Sequence, residues 1–186
     1  MNILLSNDDG IHAPGLHALY EAVRDLGHIH VVAPAGERSA VGHAITLSDP
    51  IKTSRVNRGD SFFGHAVVGT PADCVKLAVC ALLKEPPDLV LSGINLGPNA
   101  GISVLYSGTV SAATEGTIFG LPSLAFSLAT FSHPHWETAA QVARTLVKRV
   151  LASGLPEDTL LNVNIPNLPL DQIKGFAITR MARSRF

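Results

Sequence analysis

The sequence predicts an α/β protein built as three layers around a mostly parallel sheet. Short β-branched, apolar runs alternate with segments of helical periodicity, and each junction carries Gly, Pro, Asn or Asp. This alternation is typical of right-handed βαβ units, which place helices on both faces of a sheet. The 186 residues contain no internal repeat, low-complexity tract or linker, so we predict a single domain over 1–186.

The first elements follow from local patterns. An apolar strand is predicted at 2–5 and ends at Ser6-Asn7-Asp8-Asp9-Gly10. A helix is predicted at 14–26, because Pro14 suits a first turn and Gly27 a position past the end. A second strand at 29–33 leads into a polar loop over 34–42.

The next segment departs from the alternation and predicts a β-hairpin excursion. Its two strands are expected at 46–56 and 62–68, around a turn at 57–60. A helix at 73–83 stops before Pro86-Pro87, and the clearest buried strand, DLVLS, follows at 88–92. The remaining predictions are helices at 109–119 and 136–152 and strands at 123–126, 160–165 and 176–179.

Composition excludes several classes of protein. Fourteen Lys and Arg against 15 Asp and Glu give a net charge of −1, which argues against a nucleic-acid or polybasic membrane binder. Mean hydropathy is +0.27, but charges, Gly and Pro break every apolar run before the ~18–20 residues of a membrane span. The acids in MNILLSNDDG do not fit a signal peptide. Cys74 and Cys80 match no disulfide or zinc pattern, so we expect two buried thiols and a cytoplasmic protein.

Ligands of parallel α/β sheets bind outside the carboxyl ends of the strands, which directs attention to segments 7–10, 34–42 and 93–109. Asp8 and Asp9 follow the first strand directly. Adjacent acids repel each other unless a cation or hydrogen-bond donors compensate. Oxygen ligands suit one Mg²⁺ or Mn²⁺ ion per subunit. The alternative is that Asp8 caps the following turn and Asp9 is solvated.

Two further oxygen donors lie in the other segments. Asn95 ends the most hydrophobic predicted strand beside a glycine and could offer an amide oxygen, although Asn also suits a left-handed turn. Ser39 in Gly36-Glu37-Arg38-Ser39 could complete a metal sphere or hold a phosphate oxygen. Arg38 could pair with an anion or be solvated.

A phosphate site is predicted at Ser107-Gly108-Thr109, because the N-terminus of a helix offers free N–H groups and a favourable dipole. Plain capping by Ser107 or Thr109 is the alternative. His12 and His43 are the histidines considered for proton transfer. The acids, amide, hydroxyls and helix terminus together indicate metal-assisted hydrolysis of a phosphate ester. The motifs GxxxxGK[ST], GxGxxG and GxSxG are absent.

Three competing interpretations stay open. A phosphoaspartyl hydrolase needs an Asp-x-Asp pair, whereas Asp8 and Asp9 are adjacent. A receiver-like signalling domain needs an acceptor Asp at a later strand end, where this sequence has Asn95. The third is a nucleotide-binding module without turnover.

Three blocks resemble the SurE family of survival-protein nucleotidases: MNILLSNDDGIHAPGL, APAGERSAVGHAIT and VLSGINLGPNAGISVLYSGTVSAATEGTIFGLPSLAFSL. The later VNIP and AITR runs fit as well, so the resemblance covers essentially the whole chain. It implies a Rossmann-like fold and a phosphatase, dependent on a divalent cation, that acts on nucleoside 5′- and 3′-monophosphates. Some family members also shorten polyphosphate.

The resemblance places metal ligands on Asp8, Asp9, Ser39 and Asn95. We also predict that Asp8 and Asp9 are catalytic, with Asp8 favoured as the residue that orients or deprotonates the attacking water. It also implies a homodimer or homotetramer, in which a carboxy-terminal extension is exchanged between subunits. The sequence departs from the family on this point, since it stops at Phe186. We therefore expect that this extension is lacking.

Overall fold

A computed structural model describes residues 1–182. Its seven strands form one sheet in the order β3-β4-β2-β1-β5-β6-β7. Every neighbouring pair is parallel except β3 and β4, which are antiparallel. The strands are β1 Asn2–Ser6, β2 His28–Pro34, β3 Lys52–Arg58, β4 Ser61–Val68, β5 Leu89–Leu96, β6 Ser123–Ala129 and β7 Leu160–Pro166.

Four α-helices cover the two faces of the sheet: α1 Pro14–Val23, α2 Pro71–Leu77, α3 Gly108–Ile118 and α4 Trp136–Ser153. Alternate residues of β1 divide the core, because successive side chains of a strand point to opposite faces. Ile3 and Leu5 pack in the cluster that includes α1 and α4. Leu4 packs in the cluster that includes α2 and part of α3. The three-layer α/β architecture predicted from the sequence is confirmed.

The direction in which the chain adds strands to the sheet reverses at β1, and this reversal positions the predicted ligand edge. The chain first adds β2 and the hairpin on one side of β1, then crosses to add β5, β6 and β7 on the other. The loops that leave β1 and β5 therefore diverge at their carboxyl ends and open a crevice between them. The predicted segments 7–10 and 93–109 both border this crevice.

The hairpin agrees with the prediction in kind but not in extent. It forms a tight turn at Gly59-Asp60, with Gly59 at φ +56°. Residues 46–51 are not part of β3, because the backbone N–H of Thr46 donates to Asp73 Oδ1 on α2 rather than to a strand. Strand β4 then pairs with β2, so the hairpin extends the main sheet.

Other boundaries shift for local reasons. Helix α1 stops at Val23, since Arg24 is its C-cap, whereas the prediction ran to 26. A capping box between Thr70 and Asp73 starts α2 at Pro71, and a π-helix over Ala78–Leu82 completes the segment predicted as one helix. The strand predicted at 176–179 is wrong: this stretch has no regular structure, and Ile178 is 93% exposed.

The two cysteines differ in their surroundings. Cys74 is buried on α2, as predicted. The prediction for Cys80 is wrong, because Cys80 lies on the π-helix with its side chain exposed. Burial raises the pKa of the Cys74 thiol well above its usual range, so Cys74 is a core side chain and not a nucleophile.

Helix α1 approaches β5 at Gly15, where there is no room for a side chain. A Cβ atom at Gly15 would lie 1.8 Å from the carbonyl oxygen of Ile94. Gly15→Ala should therefore destabilise the fold by about 3 kcal/mol, despite the better helix propensity of alanine. Urea unfolding measures the change.

Gly36→Ala is the matched control, because a Cβ there meets nothing within 4 Å. Equal unfolding midpoints for the two variants would show that α1 does not depend on this close approach.

Candidate functional site

Asp8 lies where the end of β1 meets the beginning of α3. Its side chain is 6% exposed, and its Oδ1 accepts a hydrogen bond from Thr109 Oγ1 at 2.5 Å. Burial raises the pKa of Asp8, while hydrogen bonds from the Thr109 hydroxyl and from the backbone N–H groups of Gly108 and Thr109 oppose the rise. The first turn of α3 thus holds a buried carboxylate at the positive end of the helix dipole.

Glycine at position 108 makes this contact possible. A Cβ at Gly108 would lie 2.6 Å from Asp8 Cβ and 3.0 Å from Pro71 Cγ, closer than ordinary packing allows. Beside it, the Ser107 hydroxyl accepts from the backbone N–H of Val110 at 3.1 Å and caps α3. Ser107, Gly108 and Thr109 therefore lie together at the helix N-terminus, and their phosphate-binding role stays a prediction.

Asp9 adds a second carboxylate to the same place. Burial, followed by the negative charges of Asp8 and Glu37, raises the pKa of Asp9 to about 7. Glu37 is a residue that the sequence analysis missed. Its position two residues before Ser39, in a loop already singled out, was the available signal. Three carboxylates thus concentrate negative charge at this edge of the sheet.

The loop after β2 brings Ser39 beside the acidic pair. The backbone N–H of Arg38 donates to the carbonyl oxygen of Asp8 at 2.7 Å. The exposed Ser39 hydroxyl donates to Glu37 Oε1 at 2.5 Å. The oxygen-rich loop therefore packs against the residue that follows β1.

Asn95 lies near the end of β5, the strand next to β1. Ser6 of β1 pairs with Ser92 of β5. Asp8 lies two residues beyond this pair along the chain from β1, and Asn95 lies three residues beyond it along β5. Asn95 Nδ2 donates to the carbonyl oxygen of Gly97 at 2.8 Å, which leaves Oδ1 as the atom that it can offer to a ligand. Within residues 1–182, no hydrogen bond joins Asn95 to Asp8, Asp9 or Ser39.

Ion pairs and hydrogen bonds hold the segment that follows the loop after β2. His43 Nε2 lies 2.8 Å from Glu115 Oε2, and Lys76 Nζ lies 3.5 Å from the other oxygen of this buried carboxylate. Burial raises the pKa of Asp73, but hydrogen bonds from Thr46 and Thr70 outweigh it and hold this pKa below its usual range. His43 is thus directed at Glu115, whereas His12 is exposed.

Asn99 fastens the loop between β5 and α3 to the rest of the sheet. Its backbone N–H donates to Asn164 Oδ1 at 2.8 Å, and its Nδ2 donates to Ser127 Oγ at 2.8 Å. Its carbonyl oxygen accepts from Asn162 and Asn164 of β7, at 2.8 and 2.9 Å. Sequence reasoning missed this network, although the alternation of two Asn in the strand LLNVNIP was a signal for it.

The residues fit a hard divalent cation. Within residues 1–182, no cluster of three or more His, Cys, Asp or Glu side chains is arranged to hold a metal ion. A cation would therefore need the mixed set of two carboxylates, a hydroxyl and an amide oxygen. All of these are oxygen donors, as Mg²⁺ and Mn²⁺ prefer. The buried Asp8 and the half-buried Asp9, which repel each other, are the groups that a positive charge would stabilise.

The acidic pair lines neither of the two main cavities. A cavity of about 400 Å³ lies at the opposite edge of the sheet, beside the amino-terminal ends of β1 and β2, where Asn2 and His28 line it. One of about 350 Å³ lies beside the loop after β2, between Arg38 and Thr70. The candidate site is thus an open crevice, located by its chemistry rather than by its depth.

No helix of the described residues is long and apolar enough to cross a membrane.

The fold and this crevice define a Rossmann-like α/β protein with an acidic candidate site where the strand order of its sheet reverses. The sequence model of the survival protein SurE family matches residues 3–186, and the chain belongs to that family. The resemblance seen in the sequence is confirmed.

Relatives and a solved structure agree with this assignment. A protein of Syntrophobacter fumaroxidans named 5′-nucleotidase SurE is 49% identical over 100% of this chain and 74% of its own length. Another of that name, from Chlorobium phaeobacteroides, is 51% identical over 100% of this chain and 72% of its own. The crystal structure of the SurE protein from Aquifex aeolicus superposes with a TM-score of 0.89 at 49% identity, covering 97% of this chain and 72% of that one.

The hydrogen bond from Thr109 to Asp8 yields a stability prediction. Thr109→Val keeps the shape but removes a donor to a buried carboxylate, so it should cost about 1–3 kcal/mol. Thr109→Ser keeps the hydroxyl and should cost less. Urea unfolding in the presence of EDTA measures both.

Thr114→Val is the matched control on the same helix, because the Thr114 hydroxyl donates only to the carbonyl oxygen of Val110. If Thr109→Val proves no more destabilising than Thr114→Val, the bond to Asp8 contributes nothing to the fold.

Proposed function

We propose that the chain is a divalent-metal-dependent phosphatase that hydrolyses nucleoside 5′- and 3′-monophosphates to nucleoside and phosphate. The observation that carries this proposal is the acidic pair Asp8 and Asp9 at the switch point of the sheet, where the strand that carries Asn95 is the neighbour of β1 and the loop that carries Ser39 bonds to the Asp8 backbone. Its membership of the SurE family, with relatives named 5′-nucleotidase, supports the same activity. The enzyme is therefore a 5′-nucleotidase, a phosphoric monoester hydrolase.

In this proposal Asp8, Asp9, Ser39 and Asn95 hold one Mg²⁺ or Mn²⁺ ion per subunit. A bound divalent cation polarises a phosphoryl group and lowers the pKa of a coordinated water. Asp8 orients or deprotonates the attacking water. Its fixed position supports this role, since the first turn of α3 supplies three donors to the carboxylate.

Ser107, Gly108 and Thr109 are proposed to hold the non-bridging oxygens of the phosphate. The N-terminus of α3 supports this, because the helix dipole favours an anion there. Gly108 and Thr109 already donate to Asp8, so the phosphate would lie beside the carboxylate that directs the water.

Several finer properties belong to the proposal as well. By resemblance to the family, we propose a cytoplasmic homodimer or homotetramer with possible exopolyphosphatase activity. The substrate is a nucleoside monophosphate, with neither nucleic acid nor membrane as partner. The competing receiver reading is disfavoured, since β5 carries Asn95 where a receiver needs an acceptor Asp.

The acidic pair provides the decisive experiment. Asp8→Asn and Asp9→Asn should each lower phosphate release by at least about 100-fold, because even residues that only support metal ligands contribute 10–100-fold. The assay uses nucleoside 5′- and 3′-monophosphates with Mg²⁺, with Mn²⁺ and with EDTA. EDTA should abolish the activity, and either metal should restore it.

Asp60→Asn is the control, because Asp60 lies in the exposed turn of the hairpin. Near-normal activity in both site variants would refute the proposed roles. Binding of nucleotide by the wild type without phosphate release, under every metal condition, would favour a binding module without turnover.

A further inference from the structure

Tyr106 and Phe131 are exposed aromatic side chains in loops next to the candidate site, and Phe131 is the more exposed of the two. Phe131 follows β6 in the loop to α4, and its side chain is 83% exposed. Burying a phenylalanine is worth about 1.5–3 kcal/mol, so the fold forgoes that stabilisation here. A single exposed apolar residue is ordinary. The position of this ring relative to Asn95 is what gives it significance.

The Phe131 ring packs against Gly97. A Cβ at Gly97 would lie 2.5 Å from Phe131 Cε1 and 3.0 Å from Cζ, so glycine at this position lets the ring lie directly on the backbone. Gly97 lies two residues beyond Asn95, and its carbonyl oxygen accepts the hydrogen bond from the Asn95 side chain. The ring thus contacts the residue to which Asn95, a proposed metal ligand, is hydrogen-bonded.

Backbone and side-chain hydrogen bonds hold the loop that carries the ring. Thr130 N–H donates to the carbonyl oxygen of Leu128 at 2.7 Å, and Ser132 N–H donates to Thr130 Oγ1 at 3.1 Å. Further along, Asn167 accepts from His135 N–H at 2.8 Å. These bonds hold the backbone on both sides of Phe131, so the loop needs little further ordering when a ligand stacks on the ring.

We propose that the Phe131 ring is the surface on which the base of the substrate stacks, which makes it a specificity-determining residue. This inference rests on the proposed function and adds a base-binding position to it. Every nucleobase has a face that can stack on an aromatic ring, and the contact is worth about 1–3 kcal/mol by alanine substitution. The larger purine face should gain more than the pyrimidine face.

The test compares substrates with and without a base. Phe131→Ala should lower kcat/KM for AMP by about 5- to 150-fold, which is 1–3 kcal/mol converted at 1.36 kcal/mol per decade. The loss should appear in KM, be smaller for CMP and be absent for ribose 5-phosphate. Phe131→Trp should preserve the activity on AMP.

Phe176→Ala is the matched control. Phe176 is a half-exposed phenylalanine whose ring lies under the Arg149 guanidinium of α4. It should leave kcat/KM for all three substrates unchanged. An equal loss on AMP and ribose 5-phosphate in Phe131→Ala would assign the ring to support of Asn95 and overturn the proposal. No loss on either would overturn it as well.

Equilibrium binding separates this proposal from the proposed function. Isothermal titration of AMP and ribose 5-phosphate in EDTA should give a Kd for AMP that rises by the same factor in Phe131→Ala. If the wild type binds AMP but releases no phosphate with any metal, the proposed function fails, and the ratio of Kd values still decides the role of Phe131. If AMP binds no better than ribose 5-phosphate, base stacking is refuted.

Discussion

The carboxylate of Asp8 at the N-terminus of α3 is the contact on which the site depends. It joins the first strand of the sheet to a helix that begins about a hundred residues later, through the Thr109 hydroxyl and two backbone N–H groups. Burying a charge is costly unless donors or a counter-charge compensate. The helix terminus supplies the donors, and the negative charge of Asp8 raises the pKa of the neighbouring Asp9. The contact that joins β1 to α3 thus lies at the centre of the proposed metal site.

Close backbone approaches make this arrangement rigid. Gly108 lets α3 reach Asp8, and Gly15 lets α1 press on β5 behind Asn95. The network around Asn99 ties the intervening loop to β6 and β7. These contacts join the loops on both sides of the crevice to the sheet and its helices.

Errors in the predicted elements share a physical cause. Residues 46–51 are predicted to begin the first strand of the hairpin, but Thr46 bonds to Asp73 of α2 instead. The apolar residues at 176–179 fit a strand pattern, but no neighbouring strand pairs with them within residues 1–182. Cys80 fits a helical stretch, and the π-helix leaves it exposed. In each case the local structure depended on whether residues far away in the sequence were available as packing or hydrogen-bond partners.

The sequence by itself determined the alternation of strands and helices, the parallel sheet and the segments that border its ligand edge. These depend on local periodicity and on turn residues, which act over a few positions. It also determined the family, through three motif blocks spread along the chain. Only the tertiary structure decided that Thr109 donates to Asp8, that Glu37 shares the charge at Asp9, and that Phe131 stands on Gly97 beside Asn95. Those contacts join residues far apart in the chain, and packing alone brings them within reach.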